Sequence, residues 1–318
     1  MKTQMTYRSL GKSGIKVSSY SLGGWTTFGG SIQDKKQAQE IILKAYEAGI
    51  NFFDIADVYA NGASEVMMGE TLRTLPRHRL VISSKVFWPM SDDINDKGLS
   101  RKHILESIEK SLKRIGTDYL DLYFCHRFDS ETPLEETVRA MDDLVHQGKV
   151  LYWGTSEWTG DQLEEVNALC RSHGFYRPQV EQPQYNLITR KKFEMDVAPV
   201  AHSEGMGLVT WSPLASGTLT GKYDAGVPQD SRLANIEWLR NEFLTPKNIE
   251  RVLQMKKIAD ELGCSRSQLA LAWTHFQESV SSVILGATKT EQLQENLGAL
   301  NVKMTADVDK ELKRLFSF

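Results

Sequence analysis

The chain has 318 residues, 41% of them apolar and 25% charged, enough to bury a large core and unlike the composition of a disordered segment. Its net charge of −3 is spread along the sequence without a basic block, which argues against a nucleic-acid partner. Cys125, Cys170 and Cys264 are odd in number and lack CxxC spacing, so neither a disulfide framework nor a zinc knuckle is expected. Met1–Leu10 is too polar for a signal peptide and no apolar run reaches about 18 residues, so a cytoplasmic protein without a membrane segment is expected.

The first elements, Tyr7–Leu10 and Ile15–Val17 around Gly11–Gly14, read as a hairpin placed to plug the bottom of a barrel. Ser19–Leu22 is the first of a series of short apolar strands. Asp34 and Gln37 then form an approximate capping box for a helix whose apolar positions end at Gly49. Strands follow at Ile50–Asp54, Leu80–Lys85 and Tyr119–Cys125, with a helix opened by Ser100 and closed by Gly116 between the last two.

Thr132-Pro133-Leu134-Glu135 has the form of a capping box with proline at the first helical position, and that helix ends at Gly148. Val150–Trp153, Gln179–Gln182, Leu208–Trp211 and Val283–Leu285 complete the strands, with helices near Asp161–His173 and Lys192–Glu204. Asp224–Pro246 shows no helix or strand pattern and reads as a long functional loop. Helices at Asn248–Leu262, Ser267–Gln277 and Asp307–Phe316 end the chain. Eight strands alternating with helices predict right-handed crossovers and a closed (β/α)8 TIM barrel with an N-terminal β-hairpin and extra C-terminal helices. No linker-like boundary appears, so one domain over residues 1–318 is expected.

Chemistry in such a barrel gathers at the C-terminal ends of the strands. Those ends carry Asp54, Lys85 and His126, separated by 31 and 41 residues, about one βα unit each. Tyr59 follows Asp54 closely enough to fold back over the same rim. A phenol with a pKa near ~10 is a weak acid at neutral pH. A lysine held by Asp54 is expected to lower that pKa, letting Tyr59 protonate a carbonyl oxygen that His126 orients. A barrel lysine can also form a Schiff base, but Asp54 should keep Lys85 charged.

These segments resemble the aldo-keto reductases. Phe53-Asp54-Ile55-Ala56-Asp57-Val58-Tyr59, Ser84-Lys85 and Leu122-Tyr123-Phe124-Cys125-His126 match the family's four catalytic positions in order, and the likeness extends over almost the whole chain. A closer likeness is to the branch containing the beta subunits of voltage-gated potassium channels, carried by Gly24-Trp25-Thr26-Thr27-Phe28-Gly29-Gly30, Trp211–Gly217 and Gly221-Lys222-Tyr223. The resemblance implies an NADPH-dependent reductase of aldehydes or ketones with Asp54, Tyr59, Lys85 and His126 as catalytic residues. The beta subunits typically carry asparagine where this chain has His126, which favours reduction over a mainly regulatory, nucleotide-sensing role. That branch forms tetramers, so a homo-tetramer is implied.

No GxGxxG fingerprint is present, so a Rossmann domain is not indicated. Gly286-Ala287-Thr288-Lys289 ends the last strand, where a phosphate site or a plain Thr288–Glu291 capping box fits equally. The resemblance places Gly24, Trp25, Asp54, Ser156, Gln182, Trp211, Ser212, Pro213, Leu214 and Ser216 around the nicotinamide and pyrophosphate of the cofactor. It places Lys222 and Arg232 near phosphates, and Gly286, Thr288, Gln292, Glu295 and Asn296 at the adenosine end. Lys289 is a further candidate for a local basic pocket. Gln292 stands where many relatives carry arginine, although the channel branch also uses glutamine, and Glu157 stands where some relatives carry asparagine or arginine. For the carbonyl substrate, Trp25, Tyr59, Trp88 and His126 are the primary candidates, with Phe28, Phe87 and Trp158 as further aromatics. Small aromatic or apolar aldehydes are therefore expected. No metal site is expected.

Overall fold

Strand residues of one parity point inward and those of the other outward, and this alternation builds the core in two layers. The computed structural model describes residues 4–229 and 231–318. The hairpin is β1 (Tyr7–Ser9) with β2 (Lys16–Ser18), paired antiparallel. The barrel runs β3 (Tyr20–Gly23), α1 (Lys35–Glu47), β4 (Phe52–Asp54), α2 (Ala63–Leu72), β5 (Val81–Val86), α3 (Arg101–Ile115), β6 (Leu120–Cys125) and α4 (Leu134–His146). It continues through β7 (Val150–Ser156), α5 (Gly160–His173), β8 (Val180–Gln182), α6 (Ala198–Glu204) and β9 (Gly207–Thr210). Two short helices, α7 (Arg232–Asn235) and α8 (Glu237–Phe243), precede α9 (Pro246–Glu261), α10 (Arg266–Phe276), β10 (Val280–Leu285), α11 (Thr290–Leu297) and α12 (Ala306–Leu315).

The strands β3 to β10 pair in parallel and close through β10 onto both β9 and β3, giving the eight-stranded barrel that the alternation predicts. Phe52, Val81, Leu122, Phe124, Val180, Val209 and Ile284 fill its interior, and Leu10 and Val17 of the hairpin segment pack against them. Ser18 N donates to Asn51 Oδ1 (2.7 Å) and Lys12 N to Gly205 O (2.9 Å), fastening the hairpin to the N-terminal ends of the strands. The plug is therefore opposite the C-terminal ends of the strands. Residues of the other parity, including Phe53, Ile82, Tyr123 and Trp153, pack against the helices.

Local signals differ from expectation where a tertiary partner competes. Asp34 caps α1 as expected, accepting from Lys36 N, but Gln37 reaches Thr288 O at 2.8 Å instead of closing a capping box. Thr132 donates to Asp129 Oδ2 (2.7 Å), leaving Pro133 as the N-cap of α4. Thr288 makes no box with Glu291; its N–H donates to Gln292 Oε1 (2.8 Å), and Lys289 is the N-cap of α11. The segment 224–246, read as a structureless loop, holds α7 and α8, anchored by buried Leu233, Leu239 and Phe243. Among the described residues no helix is long and apolar enough to cross a membrane.

Candidate active site

The inward parity that packs the barrel also delivers polar side chains to its mouth. In β4, Phe52 faces inward and so does Asp54; in β5, Val81 is followed by Ser83 and Lys85; beyond β6, Leu122 and Phe124 lead to His126. Register sets Asp54 opposite Ser83 and Lys85 opposite Phe124. Gly23 on β3 must lack a side chain, because a Cβ there would lie 2.5 Å from Ile284 Cγ2.

Lys85 is 0% exposed, and an ammonium at such depth requires partners. It donates to Asp54 Oδ2 at 2.7 Å and to Ile55 O at 2.8 Å. The other oxygen of Asp54 accepts from Ser83 Oγ (2.7 Å) and Gln182 Nε2 (2.9 Å), while Ser156 Oγ donates to Gln182 O (2.9 Å). The Asp54 carboxylate thus ties β4, β5 and β8 together beneath the mouth, and Ser156 adds β7 through Gln182. Tyr59 lies above: Lys85 Nζ is 4.9 Å from its ring centroid, and the His126 ring meets it edge-on at 5.8 Å. Two residues with left-handed backbone, Ala60 (φ 49°) and Asn61 (φ 51°), turn the chain just beyond Tyr59. Asp57 supports this turn, accepting from Val58 N (2.6 Å) and from Ser107 Oγ on α3 (3.0 Å), with burial pushing its carboxyl up to about 7.

The electrostatics differ from the expectation that Lys85 acidifies the phenol. Burial, with Asp54 adding to it, pushes the Tyr59 pKa well above the usual phenol range. Lys85 cannot offset this, because its charge is already matched by Asp54. Burial lowers the Lys85 pKa against the opposing pull of Asp54. Burial also holds His126 well below the usual imidazole range, with the Lys85 and Arg127 cations pushing the same way. The arrangement is a protonated phenol, a neutral imidazole and an internally compensated ion pair.

A cavity of about 910 Å³ opens over this group. Asp54, Tyr59 and His126 line its floor, with Trp25, Trp88, Ser156, Gln182 and Trp211 beside them. Ser212, Pro213, Leu214, Ser216, Lys222 and Arg232 line one wall, and Gly286, Thr288, Gln292, Glu295 and Asn296 the far end. Lys85 lies beneath the floor. The hydroxyls of Ser212, Ser216 and Ser231 are buried with no partner among the described residues, and backbone at Ser212, Ala215, Ser216 and Gly217 adopts positive φ. Such a strained loop lined by free donors suits a phosphate-bearing ligand.

Several candidates fall outside the cavity. Gly24 is turned away, its N–H bonded to Asp54 O (2.8 Å) and its Cα facing Ser64 Oγ, which a Cβ would meet at 2.5 Å. Lys289 does not line the cavity. Phe28 and Trp158 are fully buried in the core, and Phe87 packs edge-on against Trp88 at 5.1 Å without reaching the cavity. Arg127, Asn235, Ile236 and Trp238, which no sequence motif marks, also line it. Arg127 was visible as the neighbour of His126 at a strand end; the other three come from the insertion, whose short helices carry no periodic signal.

Comparison with known proteins agrees with this geometry. The sequence is 49% identical over 303 residues to an Arabidopsis thaliana protein named as a probable voltage-gated potassium channel subunit beta, covering 94% of this chain and 92% of that protein. An Oryza sativa subsp. japonica protein of the same name is 48% identical with the same coverage. A Schizosaccharomyces pombe protein named for the same subunit is 42% identical over 321 residues, 98% of this chain and 93% of that protein. The profile of the aldo/keto reductase family matches residues 20–316, and the chain belongs to that family.

Proposed function

We propose that the protein reduces aldehydes or ketones to alcohols with NADPH, with Asp54, Tyr59, Lys85 and His126 as its catalytic residues. The observation that carries this reading is the meeting of a protonated phenol, a neutral imidazole and a buried lysine–carboxylate pair on the floor of one cavity. The wall fits the cofactor: three partnerless serine hydroxyls and two cations, Lys222 and Arg232, line it. Ser156 and Gln182 would hold the carboxamide, and Trp211, Ser212, Pro213, Leu214 and Ser216 the nicotinamide and pyrophosphate. Lys222 and Arg232 would take the phosphates, with Gly286, Thr288, Gln292, Glu295 and Asn296 at the adenosine end. NADPH, when bound, supplies the hydride.

The chain's own residues handle the proton. His126, neutral throughout the physiological range, orients the carbonyl oxygen by a hydrogen bond; Trp25 and Trp88 flank the substrate. Tyr59 gives its proton to that oxygen as negative charge develops on it. An alkoxide is a far stronger base than a phenolate, so a phenol with a raised pKa still gives up its proton in that step. Lys85, fixed by Asp54, places a cation under the ring of the phenolate left behind. The same fixed geometry argues against a Schiff base on Lys85, whose nitrogen has two partners.

Aldehyde-dependent consumption of NADPH by the purified protein tests the reading. Tyr59→Phe should lower turnover by about a hundredfold or more, while NADPH affinity stays nearly unchanged. Turnover equal to wild type in that variant would remove Tyr59 as the proton donor. A second reading, a nucleotide-sensing regulatory subunit, is favoured by the names of the plant and yeast relatives. Mixing NADPH-loaded protein with aldehyde in a stopped-flow instrument separates the two: repeated fast turnover supports the reductase, one slow turnover the sensor.

A further inference from the structure

Three cations line the cavity with no carboxylate ion pair among the described residues: Lys222 and Arg232 on the wall, and Arg127 beside Tyr59 and His126. Asp54 and Lys85 cancel each other at 2.7 Å, and His126 is neutral. Glu157, behind Trp211, is paired with Lys192 at 3.1 Å. Arg127 has no such partner: among the described residues no carboxylate forms an ion pair with it. One of its N–H groups donates to His126 O, and its guanidinium lies 5.6 Å from the Trp88 ring centroid while lining the cavity beside Tyr59 and His126. A guanidinium has five N–H donors in a planar fork that matches a carboxylate. Among the described residues His126 O is the one hydrogen-bond acceptor that Arg127 meets, so the rest of the fork has no partner in the protein. The half-buried position and the indole beside it restrict water, so an anion that reaches Arg127 is held more strongly than at an open surface.

We propose that Arg127 forms an anion subsite next to the reacting carbonyl, so that the preferred substrates are aldehydes or ketones carrying a carboxylate within a few bonds of the carbonyl group. This rests on the reductase reading, and it modifies the expectation of purely apolar substrates. Trp25 and Trp88 still favour a flat or aromatic body, but the site asks for a negative charge on it.

The test compares ortho-carboxybenzaldehyde with ortho-nitrobenzaldehyde, a neutral compound of nearly the same shape whose carbonyl is intrinsically more reactive. Wild-type protein should favour the carboxylate in kcat/KM by about tenfold or more, the equivalent of one charge-assisted hydrogen-bonded contact. Arg127→Gln should collapse that ratio, whatever happens to the nitro compound itself, and Arg127→Lys should restore part of it. A wild-type preference for the nitro compound, or equal losses for both substrates in Arg127→Gln, would overturn the proposal, the second outcome placing Arg127 on the common chemical step. If neither aldehyde is reduced, the reductase reading has failed and binding decides the subsite. Tryptophan-fluorescence titration of NADP⁺-loaded protein should then show benzoate binding more tightly than benzamide, with the difference lost in Arg127→Gln. Equal affinities would overturn the subsite.

Discussion

At the floor of the cavity, Lys85 meets Asp54 at 2.7 Å and Ile55 O at 2.8 Å, and the remaining Asp54 oxygen is taken by Ser83 and Gln182. Along the wall, by contrast, the hydroxyls of Ser212, Ser216 and Ser231 meet no acceptor or donor among the described residues. The floor is buried charge and folds only because it is answered internally. These three wall hydroxyls are buried but uncharged, and unmet donors of that kind cost far less to carry than an unmet charge. The difference separates parts that must be complete before a ligand arrives from parts that a ligand completes.

Breaking the floor should have the largest effect. Lys85→Met leaves the Asp54 carboxylate buried without its cation, and removing one member of such a pair costs about 3–5 kcal/mol of stability. The urea midpoint should fall accordingly, with turnover lost. Adding Asp54→Asn to Lys85→Met removes the orphaned charge, so most of the stability should return while activity does not. A loss below about 1 kcal/mol in the single variant, the range of exposed ion pairs, would mean that the floor is not an interdependent unit.

The floor was legible in the sequence for the same reason that it is rigid. Strand parity is a period of two, and Asp54, Lys85 and His126 each continue the inward series begun by Phe52, Val81 and Leu122. The direction of the Tyr59 shift was not legible, because the sequence pairs Lys85 with Asp54 but does not show how deeply the phenol is buried, and burial is the largest cause of the shift. Aromatic residues near strand ends were ambiguous for a related reason: Phe28 is drawn into the core by the turn whose bridge pairs it with Ile32, while Trp88 remains 38% exposed at the cavity. The insertion escaped because helices of four and seven residues give no repeating pattern, yet they bring Asn235, Ile236 and Trp238 to the mouth. Caps at Thr132 and Thr288 failed because Asp129 and Gln292 offered partners that only the folded chain supplies.

A smaller effect sharpens the wall. Ser216→Ala removes a hydroxyl that has no hydrogen-bond partner among the described residues, so thermal stability should stay within about 0.5 kcal/mol of wild type. Loss of one hydrogen bond to a bound phosphate should weaken NADP⁺ by about 1 kcal/mol, close to a fivefold rise in Kd. Calorimetric titration beside a melting curve reads both. A destabilised protein with unchanged NADP⁺ affinity would assign Ser216 to the floor's class and not to the wall's.

The smallest expected effect is a flat line. In the proposed mechanism, reduction needs Tyr59 protonated and His126 neutral. The phenol pKa is raised, so deprotonation begins only above its ordinary value near ~10, and the imidazole pKa is lowered, so protonation begins only below its ordinary value near ~6.5. Between those limits neither group changes state, and kcat/KM for aldehyde reduction should not vary with pH on their account. Alcohol oxidation by NADP⁺ needs the phenolate instead, and its rate should climb about tenfold per pH unit across the same range without reaching a plateau. An inflection near pH 6.5 in reduction would show His126 titrating as an exposed imidazole does. A plateau in oxidation below pH 9 would show that Lys85, freed from Asp54 once the cofactor is bound, acidifies the phenol after all.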